Sequence, residues 1–542
     1  MKINGKLVPS CGTKVTPGMA VESETTEVHE ARRTALELLF SDHVGDCLSP
    51  CHRLCPLQLN VPVMLRNIQA GRLHEAVVGV RQALALPAVL GRLCHHPCEQ
   101  GCRRNSWDDP AAIRGMERFV ADWDLGMGGA RSEKSSVLPH PDPLPLGEGT
   151  AKGGNQDVQA GLTSRQVDNN FPSPWREGQG AGERSNLTHG TPDKPAHLPH
   201  VPPRKPTTGK SVAIVGAGPA GLAAAHYLAR EGHAVTVADR RDKAGGTLRN
   251  ASEMELPREV LDAELAQLER LGIEFKLNVE LGRDLILEGL TRGFDAVLLT
   301  VGEISSRETH NLGVVLGLLG IDSDPNTGWT SARNVFAAGS AVKPIKQLVK
   351  AMSEGRAVAE CVHQHLLGRT PRRSEKTFSS VMGRLDPGEL RAFLRGANSG
   401  AAVTPCDRCA GHNLREAATE SSRCLHCDCR SSGNCVLQHW AHVYGADANR
   451  FRAERKKFEQ HAQPGGIIFE PGKCILCGIC VKLTEIAAEP LGLTFIGRGF
   501  DVKVAAPFNR KIEEGLQKVA AECVEHCPTG ALIFAEKQAV PS

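Results

Sequence analysis

Nineteen cysteines dominate the chemistry available to this chain, and they stand in tight groups, as metal ligands do, rather than at the scattered spacings of a disulfide framework. Cys474-x2-Cys477-x2-Cys480, with Cys527-Pro528 far downstream, is the ligand run of a [4Fe-4S] cluster, in which the Cys before Pro closes a cluster begun by a distant C-x2-C-x2-C segment. Position 484, where a partner cluster would need a thiolate, is Thr484, and Cys523 has no C-x2-C companions upstream. One cluster is therefore expected here, with Cys523 a structural thiol. Cys47-x3-Cys51-x3-Cys55-Pro56 and Cys94-x3-Cys98-x3-Cys102 use a spacing longer than the C-x2-C pairs of structural zinc, which favours iron–sulfur. Cys406-x2-Cys409 and Cys424-x2-Cys427-x-Cys429-x5-Cys435 suit a four-thiolate site without choosing between zinc and iron–sulfur. Cys361, alone in AVAECVHQHLL, reads as a buried apolar side chain.

A second chemistry is written in glycines. SVAIVGAGPAGLAAAHYLAREGHAVTVADR places an apolar strand before Gly216-x-Gly218-x-x-Gly221, a helix after it and Asp239 at the end of the next strand. Gly216 permits the tight turn, Gly218 lets the backbone approach a pyrophosphate, and Gly221 allows close helix packing, with Pro219 and Ala220 completing the loop. The helix N-terminus supplies unpaired N–H groups and partial positive charge, and Asp239 can accept hydrogen bonds from a ribose. This fingerprint serves FAD and NAD alike.

The order of further motifs carries a resemblance. GAGPAGLAAAHYL, AGGTLR, LPREVLDAEL, FDAVLLTVG and NVFAAGS resemble the flavin domain of the glutamate synthase small subunit and of the flavoprotein half of dihydropyrimidine dehydrogenase. The resemblance implies FAD, with Gly339, Ser340 and the helix beginning near Lys346 beside it; an acidic residue is usual where this chain has Ser340. The same family has a helical domain with two [4Fe-4S] clusters ahead of the flavin domain, which residues around AVLGRLCHHPCEQGCRR resemble. Two cubanes need eight ligands and this region offers six cysteines, so either one cluster forms or oxygen and nitrogen ligands complete the pair, with His43 and Glu117 the candidates. The family's NADPH-binding unit would lie between FDAVLLTVG and NVFAAGS. Only residues 303–333 separate those strands here, and no second G-x-G-x-x-G occurs, so NAD(P)H binding in the family's manner is not expected. NGKLVPSCGTKVTPGMAVES with RRTALELLFSDHVGDC resembles the end of the plant-type [2Fe-2S] domain of the large iron–sulfur subunit of NADH:quinone oxidoreductase and of some formate dehydrogenases. There Cys11 would be the fourth ligand, the other three being missing from this chain, whose start is a truncation or whose opening is a remnant.

Elements of several kinds must hold these groups, and 542 residues allow three or four domains at roughly 150 residues each. The expected division is a [2Fe-2S] domain remnant over 1–40, a helical iron–sulfur domain over 41–128, a linker or insertion over 129–208, an FAD-binding domain over 209–370, a Cys-rich segment over 371–465 and a ferredoxin-like domain over 466–538. Within the linker, rich in Gly, Pro, Ser and Asn, the segments 139–149 and 171–183 look like two copies of one element. The fold class that follows is multidomain α/β: a Rossmann-like FAD-binding domain, preceded by an α-helical iron–sulfur domain and followed by a Cys-rich segment and an α+β ferredoxin-like domain.

Charge excludes other classes. Lys and Arg number 64 and Asp and Glu 61, a net +3, so no electrostatic footprint for nucleic acid or an anionic membrane exists, and 15 Phe, 5 Trp and 2 Tyr make poor stacking platforms. No signal peptide or membrane-spanning apolar run is evident, which points to a cytoplasmic protein whose thiols stay reduced. The expected function is an iron–sulfur flavoprotein oxidoreductase subunit that passes electrons between [4Fe-4S] clusters and FAD and exchanges them with a redox partner protein, without membrane insertion. Two alternatives stand beside it: a metal-stabilised scaffold descended from an oxidoreductase, and a self-sufficient NAD(P)H-dependent enzyme whose Rossmann unit holds NAD. No acid, base or nucleophile motif assigns catalytic side chains.

Overall fold

Helices and strands form where the periodicities place them. The structure, a computed structural model, describes residues 1–127, 198–304, 312–374, 376–452, 455–462 and 466–534. The two similar segments at 139–149 and 171–183 lie outside the described residues. The N-terminus makes a small antiparallel sheet from Lys2–Ile3, Lys6–Leu7 and Val21–Glu22, followed by the helix Thr26–Ser41. The segment VPVMLRNIQAGRLHEAVVGVRQAL is two helices, Val61–Gln69 and Leu73–Ala83. Gly71, at φ +70°, turns the chain between them, a backbone state that costs glycine nothing. In the first helix Val61, Met64, Leu65 and Ile68 are buried at helical spacing, and the Asn60 side chain accepts from the Val63 N–H at its start.

The nucleotide-type domain is a five-stranded parallel sheet. Its spatial order is Ile273–Leu277, Ala234–Asp239, Ser211–Val215, Ala296–Leu299, Val335–Ala337, which in chain order reads 3-2-1-4-5. That order reverses beside Ser211–Val215, and ligands of open parallel sheets sit at the C-terminal ends of strands at such a switch point. Between Ala296–Leu299 and Val335–Ala337, the described residues contribute isolated bridges such as Leu316 with Ile321 and Ser323 with Thr330, and no second parallel sheet. Helix Pro219–Arg230 follows the glycine loop, and helix Leu348–Leu366 packs on it through small residues. A Cβ on Gly355 would stand 2.0 Å from the Ala220 carbonyl oxygen, so only glycine permits this approach.

A buried ion network ties the helical domain to this sheet. Arg81 is 2% exposed; its Nε donates to Asp124 at 2.9 Å and its guanidinium pairs with Glu264, which also accepts from the Ala88 N–H at 2.5 Å. Glu264→Ala would leave Arg81 buried without a main counter-charge, and breaking such a pair costs about 3–5 kcal/mol. We expect a correspondingly earlier transition in chemical denaturation of the full chain; an unchanged transition would mean the network contributes nothing. Residues 198–208, inside the stretch set apart as a linker, also dock on the sheet domain. Arg204 donates to the carbonyls of Ala229 and His233 at 3.0 and 3.1 Å, and the Lys205 N–H to that of Arg230 at 2.8 Å.

The Cys-rich segment wraps the helical domain. Arg66 makes a two-point ion pair with Asp428, at 2.9 and 2.6 Å. Arg104 and Arg423 are fully buried between the two segments: Arg104 donates to the carbonyls of Asn398 and Arg423, and Arg423 to those of Asp109 and Pro110. The C-terminal region is α+β, with an antiparallel sheet of His461–Ala462, Ile467–Phe469 and Leu532–Phe534, a hairpin of Thr494–Ile496 and Lys503–Ala505, and helices Ile479–Ile486 and Ala520–Glu525. Among the described residues no single helix is long and apolar enough to cross a membrane.

Candidate redox-cofactor sites

The glycine loop is built as a phosphate cradle needs to be. Gly216 has φ +112°, and a Cβ there would meet the Thr300 carbonyl oxygen at 2.3 Å; one on Gly221 would meet the Gly216 carbonyl oxygen at 2.0 Å. A Cβ on Gly218, by contrast, would meet nothing within 4 Å, so the open space over Gly218 is where a pyrophosphate could approach the backbone. Asp239 accepts from the Ala217 N–H at 2.6 Å and the Arg241 N–H at 2.8 Å. It therefore braces the loop, and a carboxylate with two bonds made keeps acceptor capacity for a ribose hydroxyl. Thr300, within FDAVLLTVG, donates from Oγ1 to the Gly216 carbonyl at 2.9 Å. Only its place at the end of the strand beside the switch point marks it in the sequence.

Gly339, at φ +69°, lies against Ala220: a Cβ on it would stand 2.8 Å from the Ala220 Cβ. Ser340 accepts from the Ile345 N–H at 3.3 Å and so closes its own loop. Helix Leu348–Leu366 begins two residues later than the sequence suggests. A cleft at its start is lined by Lys343, Ile345, Lys346, Lys350, Ser353 and Pro56, the last belonging to the Cys55-Pro56 corner of the helical domain. Ser353 Oγ donates to the Pro56 carbonyl at 3.0 Å and Arg356 to that of Leu57 at 3.2 Å.

The buried thiols assemble across segments. Burial pushes the Cys98 thiol far up, and Glu117 and Cys55 add to it; Cys94 is pushed up to about 11 by burial, then by Glu117 and Cys55. Cys55, Cys94, Cys98 and Glu117 thus stand within electrostatic reach of one another, and Cys98 within reach of Cys51 as well. Burial raises Glu117 itself to about 8, and its Oε1 is shut off from solvent with no hydrogen-bond partner. A second group gathers Cys51, Cys102, Cys424 and Cys427. Cys51 is pushed up to about 12 by burial, then by Cys102 and Asp428, and both Cys424 and Cys427 are raised by burial and by Cys51 and Cys102. Cys47, Cys429 and Cys435 form a third: Cys435 is raised to about 11 by burial, then by Cys429 and Cys47. Of the cysteines over 406–435, Cys424 and Cys427 thus stand within electrostatic reach of Cys51 and Cys102, and Cys429 and Cys435 within reach of Cys47. Cys406 and Cys409 are exposed, with Cys406 against Glu416.

The C-terminal run needs no such regrouping. Cys474, Cys477, Cys480 and Cys527 line one cavity with Pro528 and Thr529. Cys523 does not line it. That thiol is 1% exposed in the core formed by Ile467, Phe469 and Leu532. Cys361 is fully buried and Cys11 exposed.

The donor sets fit iron–sulfur clusters. None of the cysteines is in a disulfide, and burial holds most of the grouped thiols neutral when nothing cationic is present, so several thiolates together require a positively charged core. Glu117, whose Oε1 is buried without a partner, adds an oxygen within electrostatic reach of the Cys55, Cys94 and Cys98 thiols.

The fold and sites define an oxidoreductase-type assembly of a helical 4Fe-4S domain and a Rossmann-like domain. Residues 22–128 match the family described as dihydropyrimidine dehydrogenase domain II, 4Fe-4S cluster, and residues 214–268 match an NAD(P)-binding Rossmann-like domain. The chain is similar to the NADP(+)-dependent formate dehydrogenase subunit beta of Moorella thermoacetica, at 36% identity over 256 residues, covering 47% of this chain and 29% of that one. The glutamate synthase [NADPH] small chain of Mycobacterium tuberculosis is 30% identical over 265 residues, covering 48% and 40%. The NAD-dependent dihydropyrimidine dehydrogenase subunit PreT of Escherichia coli is 30% identical over 272 residues, covering 49% of each. The chain thus spans less than half the length of these relatives.

Proposed function

We propose that this chain is an iron–sulfur flavoprotein subunit that relays electrons between a partner protein and a flavin. FAD occupies the cradle of Gly216, Gly218, Pro219, Ala220, Gly221 and Asp239, with Gly339 and Ser340 beside it. Cys55, Cys94, Cys98 and Glu117 hold one [4Fe-4S] cluster, Cys51, Cys102, Cys424 and Cys427 a second, and Cys474, Cys477, Cys480 and Cys527 a third. Bound there, the clusters supply single-electron steps and the flavin two-electron chemistry.

The observation that carries this reading is the joint between the two domains. The Cys55-Pro56 corner is hydrogen-bonded to the helix bordering the cleft beside Gly339, through Ser353 and Arg356. Cys55 is thereby fixed against the flavin domain, and the buried Arg81–Glu264 pair ties the same two domains together. Lys343, Lys346 and Lys350 line the cleft and favour an anionic group in it. Glu117 gives up a proton when it becomes a ligand, so loading of that site should be assisted by raising the pH toward 8.

A second reading follows from the NAD(P)-binding description of the 214–268 match: the cradle holds a nicotinamide dinucleotide. Acid release of the bound dinucleotide from the purified holoprotein separates the two, FAD on the first reading and a nicotinamide dinucleotide on the second. On the FAD reading, neither NADH nor NADPH alone bleaches the visible flavin band at a useful rate, since the described residues form one parallel sheet and one glycine loop. Rapid bleaching by either, with no partner present, would overturn the assignment of a single dinucleotide site.

A further inference from the structure

We propose that Lys343, Lys346 and Lys350 form the docking surface for an acidic electron-carrier protein, one that surrounds its own redox centre with Asp and Glu side chains. The inference rests on the reading of the chain as a relay between a partner protein and a flavin, and it names where that partner sits and what its surface carries.

The segment KPIKQLVK, residues 343–350, holds three cations and no acid. All three lysines are exposed, and among the described residues none of them has a carboxylate partner. Surface lysines nearby in the fold are paired, Lys205 with Glu231 at 2.7 Å and Lys210 with Asp295 at 3.0 Å. Among the described residues lining the lysine cleft the one carboxylate is Glu354, and Arg373 already holds it at 3.2 and 2.9 Å. The three ammonium groups are left uncompensated.

Local stability does not account for them. Lys346 and Lys350 flank the start of helix Leu348–Leu366, which has no acidic residue in its first turn and no side-chain cap. A helix start carries partial positive charge, so cations beside it are unfavourable. An anionic surface laid over the cleft offsets that cost. Because the lysines are exposed rather than enclosed, they fit a protein surface laid across them and not a small anion shut inside.

Their place is the joint between the two redox sites. The Ile345 N–H donates to Ser340 Oγ at 3.3 Å, which ties the lysine loop to Gly339 and the flavin side. Ser353 donates to the Pro56 carbonyl at 3.0 Å, which ties the same cleft to Cys55. Apolar Pro344, Ile345 and Pro56 line the cleft among the cations. An apolar centre with a charged rim is the build of a transient interface, in which opposite charge speeds the encounter and fixes its register. Each encounter moves one electron. The carrier is oxidised by one, and two encounters with two protons from water reduce the flavin by two.

The test uses the full chain, purified anaerobically with flavin and iron bound. An acidic bacterial [4Fe-4S] ferredoxin, reduced with dithionite and freed of the excess, is mixed with it, and bleaching of the flavin band is followed by stopped flow. The rate should fall by at least about tenfold as sodium chloride rises from about 0.01 M to about 1 M, since the screening length shrinks from about 30 Å to about 3 Å. Lys343→Gln, Lys346→Gln and Lys350→Gln combined should lower the low-salt rate about tenfold and flatten its salt dependence, with flavin and iron contents kept. Lys343→Glu, Lys346→Glu and Lys350→Glu combined should lower it further. A rate in the unmutated chain that ignores salt overturns the proposal even if every variant misfolds. A rate that survives charge reversal, or no reduction by ferredoxin of a flavin that dithionite reduces, overturns it equally. Loss of flavin from the Gln variant assigns the lysines to the flavin itself and overturns it too. In these cases the unmutated chain still carries flavin and iron and only this inference fails; an unmutated chain lacking either defeats the proposed function as well.

Discussion

Cys527→Ala should cost the chain one whole cluster, about four iron atoms, while Cys523→Ala should cost none. The two residues are near neighbours in sequence and differ in what surrounds them. Cys527 lines the cavity shared with Cys474, Cys477 and Cys480 and is followed by Pro528, whereas Cys523 is inside the apolar core with its thiol 3.9 Å from the Cys480 carbonyl. Removing Cys527 takes one thiolate of four and leaves an iron open to solvent, so the cluster becomes labile or converts to a three-iron form. Removing the Cys523 sulfur leaves a small cavity worth about 1 kcal/mol of stability. Iron content and low-temperature EPR of the two variants, purified side by side, check this. Equal iron loss would mean that Cys523 also binds metal and that one cluster does not describe this domain.

Gly218→Val should weaken flavin binding by on the order of 100-fold, because branched carbon placed where the pyrophosphate approaches costs about 1–3 kcal/mol in overpacking and loses backbone contact besides. The fold should not notice. A Cβ at Gly218 meets nothing within 4 Å, and its φ of −82° suits any residue. Gly221→Val is the instructive contrast, since its Cβ would lie 2.0 Å from the Gly216 carbonyl oxygen and must push the helix off the sheet. We therefore expect Gly218→Val to retain iron and its melting temperature while losing flavin, and Gly221→Val to lose both fold and flavin. Stoichiometric flavin in purified Gly218→Val would show that the dinucleotide lies elsewhere.

Local patterns were legible in proportion to how local their chemistry is. The strand, glycine loop, helix and Asp239 sit within one βαβ unit, and the structure places them as the spacing requires. The C-terminal ligand run was legible for a similar reason: the Cys-Pro rule links its one distant member. The helical and Cys-rich segments were harder. Spacing alone suggests that Cys406, Cys409, Cys424, Cys427, Cys429 and Cys435 belong together, whereas the assignment proposed above separates Cys424 and Cys427 from Cys429 and Cys435. Asp428, held by Arg66, anchors it on one side, and the Cys429 N–H is held by the Cys47 carbonyl on the other. Nothing in a run of neighbouring cysteines reveals which face of the backbone meets which distant helix. The same difficulty hid the partner of Cys47, which the C-x3-C repeat aligns with Cys51 and Cys55. The shortage of two ligands among the six N-terminal cysteines was the one hint that donors must come from elsewhere.

Glu117 was legible only through resemblance; in composition it is one acidic residue among 61 Asp and Glu. The role proposed for it rests on its burial with Oε1 unpartnered and on its electrostatic effect on Cys55, Cys94 and Cys98.

The central claim is that this chain carries both a flavin and several iron–sulfur clusters, and direct stoichiometry tests it best. The full chain, purified without oxygen, should release one FAD on acid treatment and contain at least about twelve iron atoms with an equal amount of acid-labile sulfide. Zinc in place of iron, or a chain that releases no flavin while its iron is intact, would contradict it.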